Sequence, residues 1–268
     1  MSVSASHLFV NGEVLVSQEG SEFNIKWNLQ SGFITLIEER KKDDSSSPCP
    51  HSNLLLCAGF IDIQVNGLED IDVRYHNSST DASVDEIYNA EAWSRLNYLL
   101  LAQGTTSWLP TAVTSEMTEY PAIIKSVELA QLNSSPSAPS ILGLHLEGPN
   151  IGTAHGAHAS NCVVPIDLNW IRSLPPIVKL VTLGPEQDEA EEATRILVQD
   201  KSVVVSLGHT KASEEQILRC KRAGASLVTH LFNAMSGVHH RDPAGVALVA
   251  LTDDDLHATI IADLHHGE

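Results

Sequence analysis

The sequence predicts an α/β protein: a (β/α)8 TIM-like barrel, incomplete because its eighth strand is missing, with a small β-sandwich half at its N-terminus. Three observations carry this. From residue 54 onward, apolar strand-like runs alternate with helix-like runs, the pattern of a parallel sheet. Each of seven such strands is followed by a polar or charged residue, and function spread over many strand ends is the habit of a barrel. An open doubly wound sheet gathers its ligand at one switch point instead, and neither a G-x-G-x-x-G fingerprint nor a P-loop appears.

The elements follow in order. Residues 7–40 hold short alternating runs, "HLFVNGEVLV", "FNIKWNL" and "GFITLIEER", with Asn11-Gly12 as a hairpin turn. This is a small β-unit, and a polar stretch, "KKDDSSSPCPHS", closes it. The predicted division is therefore 1–53 for the sandwich part and 54–268 for the barrel. The barrel strands fall at 54–65, 105–113, 141–146, 177–183, 202–207, 226–231 and 258–262. Ser83-Val84-Asp85-Glu86 reads as a capping box opening a helix that stops at Gly104. A second helix runs from Pro185 to Asp200. A third opens at the capping box Ser213-Glu214-Glu215-Gln216 and ends before Gly224.

Composition narrows the function. The chain has 268 residues, 43% of them hydrophobic, with 34 acids against 16 bases and a formal charge of −18. Such a surface repels nucleic acid and anionic membranes, and an anionic substrate would need a local basic pocket. No run approaches the ~20 apolar residues that span a bilayer. The N-terminus does not read as a signal peptide, and Cys49, Cys57, Cys162 and Cys220 show no C-x-x-C spacing. Reduced thiols and a cytoplasmic location are the expectation. Thirteen His residues, gathered late in the chain, are the first hint of a metal.

Glu147 ends the apolar run "ILGLHLE" just before Gly148-Pro149. A buried carboxylate needs a partner. His209 in "SLGHT" and His230 in "VTHLFN" end two other strands, so a barrel would aim all three at one point. Two imidazoles and one carboxylate suit Zn²⁺ with an open position for water. Taken singly, Glu147 is equally a loop acid or helix cap, and each His a hydrogen-bonded core residue. "HHRDP" offers Arg241 as a bidentate phosphate partner, or as an ordinary solvated basic loop. His158 of "GAH" is a carbonyl polariser or merely exposed.

The motifs "AGFIDIQVNG", "GTTSWLPTAVTS", "GLHLEGP", "GAH", "VTLGPE", "VSLGHT", "THLFNAM" and "HHRDP" occur in that order over 57–245. Together they resemble the N-acetylglucosamine-6-phosphate deacetylases of the amidohydrolase superfamily. The resemblance implies a (β/α)8 barrel beside a sandwich built from both chain ends. The reaction implied is hydrolysis of N-acetylglucosamine 6-phosphate to glucosamine 6-phosphate and acetate. By motif, Glu147, His209 and His230 hold one divalent metal ion. Gln64-Val65-Asn66 stands where many amidohydrolases carry a His-x-His pair for a second ion. Ala157, His158, Asn233 and Ala234 line the sugar pocket, and Arg241 meets the phosphate, in this family from the neighbouring subunit of a homodimer.

His265 resembles the substrate-contacting His of "IADG-x-H", although Leu264 replaces the Gly and the register between His265 and His266 stays open. The family's catalytic Asp, at the end of the eighth strand, is expected beyond Glu268, so the sequence reads as C-terminally truncated: an isoform, a fragment or a mispredicted gene model. Two rival functions remain: a non-catalytic truncated form of that enzyme, and another amidohydrolase acting on a different amide.

Overall fold

The structure, a computed structural model, describes residues 13–18, 21–27, 34–39, 59–74, 89–240, 243–263 and 265–266. The predicted turn at Asn11-Gly12, the capping box at Ser83, strand residues 54–58 and Arg241 lie outside the described residues. The chain forms two compact units. The first comprises Met1–Asp62, Ala90–Trp108 and Ala130–Ile141; the second comprises Ile63–Asn89, Leu109–Leu129 and Leu142–Glu268.

In the first unit, β1 (Glu13–Gln18), β2 (Ser21–Trp27) and β3 (Ile34–Glu39) form an antiparallel sheet in that order. The β1–β2 register runs from Glu13 opposite Lys26 to Gln18 opposite Ser21. Helix α1 (Ala90–Ala102) buries Trp93, Leu96, Asn97 and Leu100, one stripe at i, i+3, i+4 and i+7. Trp108 donates its indole N–H to Asn97 Oδ1 at 3.2 Å, which satisfies two polar groups in an apolar contact. The helix ends just ahead of Gly104, whose φ of 86° is the left-handed stop the sequence predicts.

The main sheet is parallel. Its strands are β4 (Phe60–Val65), β7 (Thr105–Val113), β9 (Leu144–Glu147), β10 (Val178–Leu183), β11 (Val204–Leu207), β12 (Leu227–Val228) and β13 (His257–Ala258). They lie side by side in chain order, from β4 at one edge to β13 at the other. There is no reversal and hence no switch point, the order of an incomplete barrel rather than a doubly wound sheet. A short hairpin, β5 (Gly67–Leu68) and β6 (Ile71–Asp72), follows β4, and β8 (Ser140–Ile141) pairs with β7.

The helices of the second unit include α3 (Leu168–Ser173), α4 (Ala190–Arg195), α5 (Glu214–Ala223) and α6 (Val246–Thr252), while α2 (Tyr120–Leu132) starts in it. Three of these, α2, α3 and α6, were not predicted. The 185–200 helix is shorter than expected: it begins at Ala190 and its last turn, Ile196–Asp200, is a π-turn. Run 141–146 is broken at Leu142-Gly143, and 226–231 yields only two strand residues because the backbone turns at His230, φ 33°. Among the described residues no helix is long and apolar enough to cross a membrane.

Helix α5 follows its sequence signals closely. Ser213 caps it by accepting from Gln216 N–H while the Gln216 side chain accepts from Ser213 N–H. Glu214 and Glu215 sit in the first turn, Lys221 and Arg222 in the last, matching the helix dipole. Gly224 terminates it at φ 117°, and a Cβ there would come within 2.9 Å of Val198. Ser213→Ala is expected to lower stability by about 1 kcal/mol. Gly224→Ala should cost more, because it adds both a left-handed backbone penalty and a clash; urea unfolding of the two variants side by side checks the order.

Candidate metal centre

Three strand ends build the centre, all within the second unit. Glu147 is the last residue of β9, His209 stands two residues past β11, and His230 two residues past β12. All three are buried. Their ligand atoms form a nearly equilateral triangle. Glu147 Oε1 is 3.1 Å from His209 Nε2 and 3.1 Å from His230 Nε2, and the two nitrogens are 3.0 Å apart. A tetrahedral ion with bonds of about 2.0–2.1 Å sets its donors roughly 3.3 Å apart, so the triangle needs only a slight outward relaxation.

The tautomer of His209 decides what the triangle wants. Its Nδ1 lies 3.2 Å from the Ala154 carbonyl, which can only accept, so Nδ1 carries the proton. With that hydrogen on Nδ1, it is the Nε2 lone pair that faces the Glu147 carboxylate and the His230 nitrogen. A lone pair turned inward beside a carboxylate suits a cation, and Nδ1–H···O=C is the arrangement that orients a metal-ligating imidazole. The group is chemically fit to hold a metal ion.

The surroundings complete the site. Gln64, near the end of β4, donates to Glu147 Oε1 at 2.8 Å. His158 Nε2 lies 3.8 Å from Glu147 Oε2. Its other nitrogen, Nδ1, accepts from Thr114 N–H at 3.3 Å and stands 2.7 Å from Thr114 Oγ1. With Nδ1 accepting, the proton of neutral His158 belongs on Nε2, so this imidazole is a donor facing the triangle. Burial, then the neighbouring His209, push its pKa down to about 4. Glu186 accepts from the N–H groups of Thr153 and Lys211 and from the Thr210 hydroxyl, tying together the loops that follow β9 and β11.

The other predicted residues divide. The "GAH" loop does reach the centre: a Cβ on Gly156 would lie 3.3 Å from Ala234 Cβ and 3.5 Å from His209 Cε1. Ala157 is exposed beside it. Asn233 is half-buried and its Nδ2 donates to Leu231 O at 3.3 Å. His265 and His266 both donate backbone N–H to Asp263 Oδ1, and His266 Nδ1 also meets Asp263 Oδ2 at 2.7 Å. Neither is brought into hydrogen-bond contact with the triangle. Arg241 lies outside the described residues. Gln64, Thr114 and His145 were not among the predicted site residues. His145 shares the inward face of β9 with Glu147, two residues away, and that period-two spacing was the available signal.

No family model matches the chain. The N-acetylglucosamine-6-phosphate deacetylase of Bacillus subtilis (strain 168) is 35% identical over 98% of this chain and 65% of its own length. Over almost its whole length the chain is similar to N-acetylglucosamine-6-phosphate deacetylases. The crystal structure of that enzyme from Thermotoga maritima matches with a TM-score of 0.75 at 26% identity, covering 96% of this chain and 63% of the other. A mutant of the Mycobacterium smegmatis enzyme, in complex with N-acetyl-D-glucosamine-6-phosphate, matches with a TM-score of 0.72 at 25% identity, over 96% and 63%. The chain thus spans about half to two thirds of the length of the relatives it matches.

Burial lowers the pKa of His145, like that of His158, from 6.5 to about 4. Between those values the unfolded chain binds more protons than the folded one, so stability rises with pH across the window and is lost on acidification. Metal-free protein is expected to lose stability as the pH falls from 6.5 toward 4, and His145→Gln to flatten part of that slope in urea titrations at several pH values. A slope unchanged by the substitution would contradict the buried neutral state of His145.

Proposed function

We propose that the site hydrolyses the acetamide of N-acetylglucosamine 6-phosphate to glucosamine 6-phosphate and acetate, a step of amino-sugar catabolism in the cytoplasm. The carrying observation is the Glu147–His209–His230 triangle with the Nε2–H of a neutral His158 aimed at it, 3.8 Å from Glu147. The ligand named with the Mycobacterium smegmatis relative supports the substrate. Glu147, His209 and His230 hold one divalent ion, Zn²⁺ by the preference of two imidazoles and a carboxylate. Such an ion, when bound, lowers the pKa of a water toward ~7 and polarises a carbonyl oxygen.

The chain's own residues bind and orient the substrate and stabilise the developing charge; moving the proton from the water to the leaving amine needs a further acid–base group. His158 donates Nε2–H to the acetamide oxygen, where negative charge develops. Thr114 holds that tautomer in place. Asn233 has spent Nδ2 on Leu231 O, which leaves Oδ1 to accept from a sugar hydroxyl. Ala157 and Ala234, with minimal side chains, leave room for the ring, and His265 contacts it. Arg241 grips the phosphate, and does so across a homodimer.

The test reads metal, ligand and turnover. Purified protein is expected to hold about one Zn²⁺ per chain, and His209→Ala or His230→Ala to lose it. N-acetylglucosamine 6-phosphate should bind ahead of the unphosphorylated sugar, with Arg241→Lys narrowing the difference because the charge survives but the bidentate fork does not. His158→Gln should keep the ion while lowering acetate release about 10²-fold. Full metal content in both His variants, or equal binding of the two sugars, would overturn the reading.

A further inference from the structure

One layer beneath the triangle lies a buried polar chain that the proposed chemistry does not use. His145 Nε2 is 2.8 Å from Thr182 Oγ1, Thr182 Oγ1 is 2.8 Å from Thr229 Oγ1, and Thr229 Oγ1 is 2.6 Å from Ser206 Oγ. At the other end His145 Nδ1 reaches Ile63 O at 3.2 Å and Thr111 Oγ1 at 3.3 Å. His145, Thr182, Thr229, Ser206 and Thr111 are each at most 1% exposed.

The protons of this chain can be assigned. Ile63 O only accepts, so His145 Nδ1 carries the hydrogen. Thr111 agrees, since its own proton goes to Leu109 O and its oxygen is free to accept. With the hydrogen on Nδ1, Nε2 is the accepting nitrogen of the ring, and Thr182 donates to it. Thr182 has one proton, so Thr229 donates to Thr182, and by the same step Ser206 donates to Thr229. The direction is fixed throughout: Ser206 to Thr229 to Thr182 to His145 to Ile63 O.

The chain also sits where the ligands are mounted. Thr229 immediately precedes His230, His145 stands two residues before Glu147 on the same face, Ser206 stands three residues before His209, and Thr182 pairs in register with Glu147. Two of its links join strands that are not neighbours, β12 to β10 and β9 to β4, and so add a constraint that direct backbone pairing does not supply.

We propose that this directional chain is the device that sets the spacing of the three metal-ligating strand ends, making Thr182, Thr229, Ser206 and His145 positioning residues for the ion. The inference rests on the metal reading above. Its one-way donation makes the links unequal. Thr182→Val strands two groups, the Nε2 of His145 and the hydroxyl of Thr229. Ser206→Ala removes only the outermost donor.

The experiment uses Co²⁺ as the probe, with affinity from chelator competition and geometry from the d–d absorption of the bound ion. Thr182→Val is expected to weaken Co²⁺ binding about tenfold or more and to alter the d–d band, Thr182→Ser to restore both, and Ser206→Ala to give a smaller loss. If Thr182→Val does not fold, Ser206→Ala against wild type carries the same comparison. Wild-type affinity and spectrum in Ser206→Ala and Thr182→Val overturn the inference, as do equal losses in Thr182→Val and Thr182→Ser. His209→Ala separates the two ideas: if it too binds Co²⁺ normally, the metal reading itself has failed; if it loses the ion while Thr182→Val keeps it, only the positioning role falls.

Discussion

The Ala154 carbonyl, by holding the proton of His209 on Nδ1, determines most of what surrounds it. Once that proton is committed, a carboxylate and two imidazole nitrogens face one another within 3.1 Å with too few hydrogens between them. Such a cluster is well suited to a cation. The fold answers with three separate strand ends, each delivering one ligand. A parallel barrel suits this task, because all its strands finish on the same side. The backbone strain is concentrated there too: His209 and His230, and then Phe232 and Ala234, all adopt positive φ. Non-glycine residues accept that cost where side chains must be aimed rather than packed.

The cost extends one layer down. A barrel interior is ordinarily filled with branched apolar side chains. Here Leu144, Leu146, Leu183 and Leu207 are fully buried on the same strands as His145, Thr182 and Ser206. Hydroxyls in such a place add stability only when every one is satisfied, since a single orphan costs about 1–3 kcal/mol. The one-way order of donation satisfies each in turn. An apolar layer would pack as well but would leave strand separation to van der Waals contact alone, whereas hydrogen bonds hold distances to a few tenths of an ångström.

Much of this was legible in the sequence, and the exceptions have physical causes. Strand 105–113 was read to the residue because its apolar content and the flanking Gly104 leave no alternative. Glu147, His209 and His230 were recognisable as acids and imidazoles stranded at the ends of apolar runs. Strand 226–231 was read too long because "SLVTHL" looks continuous, while His230 turns the backbone to point its ring at Glu147. His145 was lost inside an apolar run for the opposite reason: burial makes its neighbourhood look like plain core. Gln64 stood visibly at a strand end, but only three dimensions bring β4 to Glu147 across the intervening β7. Thr114 is unremarkable as a residue; its role comes from the loop that folds His158 back onto it.

Electrostatics reconcile the centre with the rest of the molecule. The chain carries a formal charge of −18, yet the proposed ligand is an anion. Screening confines surface charges to about 10 Å at 0.1 M salt, so what the ligand meets at close range is the site floor. Glu147 contributes one negative charge, and burial keeps His145 and His158 neutral. Under the proposed reading a divalent ion reverses that floor to one net positive charge. A protonated His158, its Nε2 3.8 Å from Glu147 Oε2, would repel a cation held by that carboxylate. A neutral donor avoids this while still offering its hydrogen to a developing oxyanion. The same burial that destabilises the imidazolium is therefore what lets a metal ion and a hydrogen-bond donor share one small pocket.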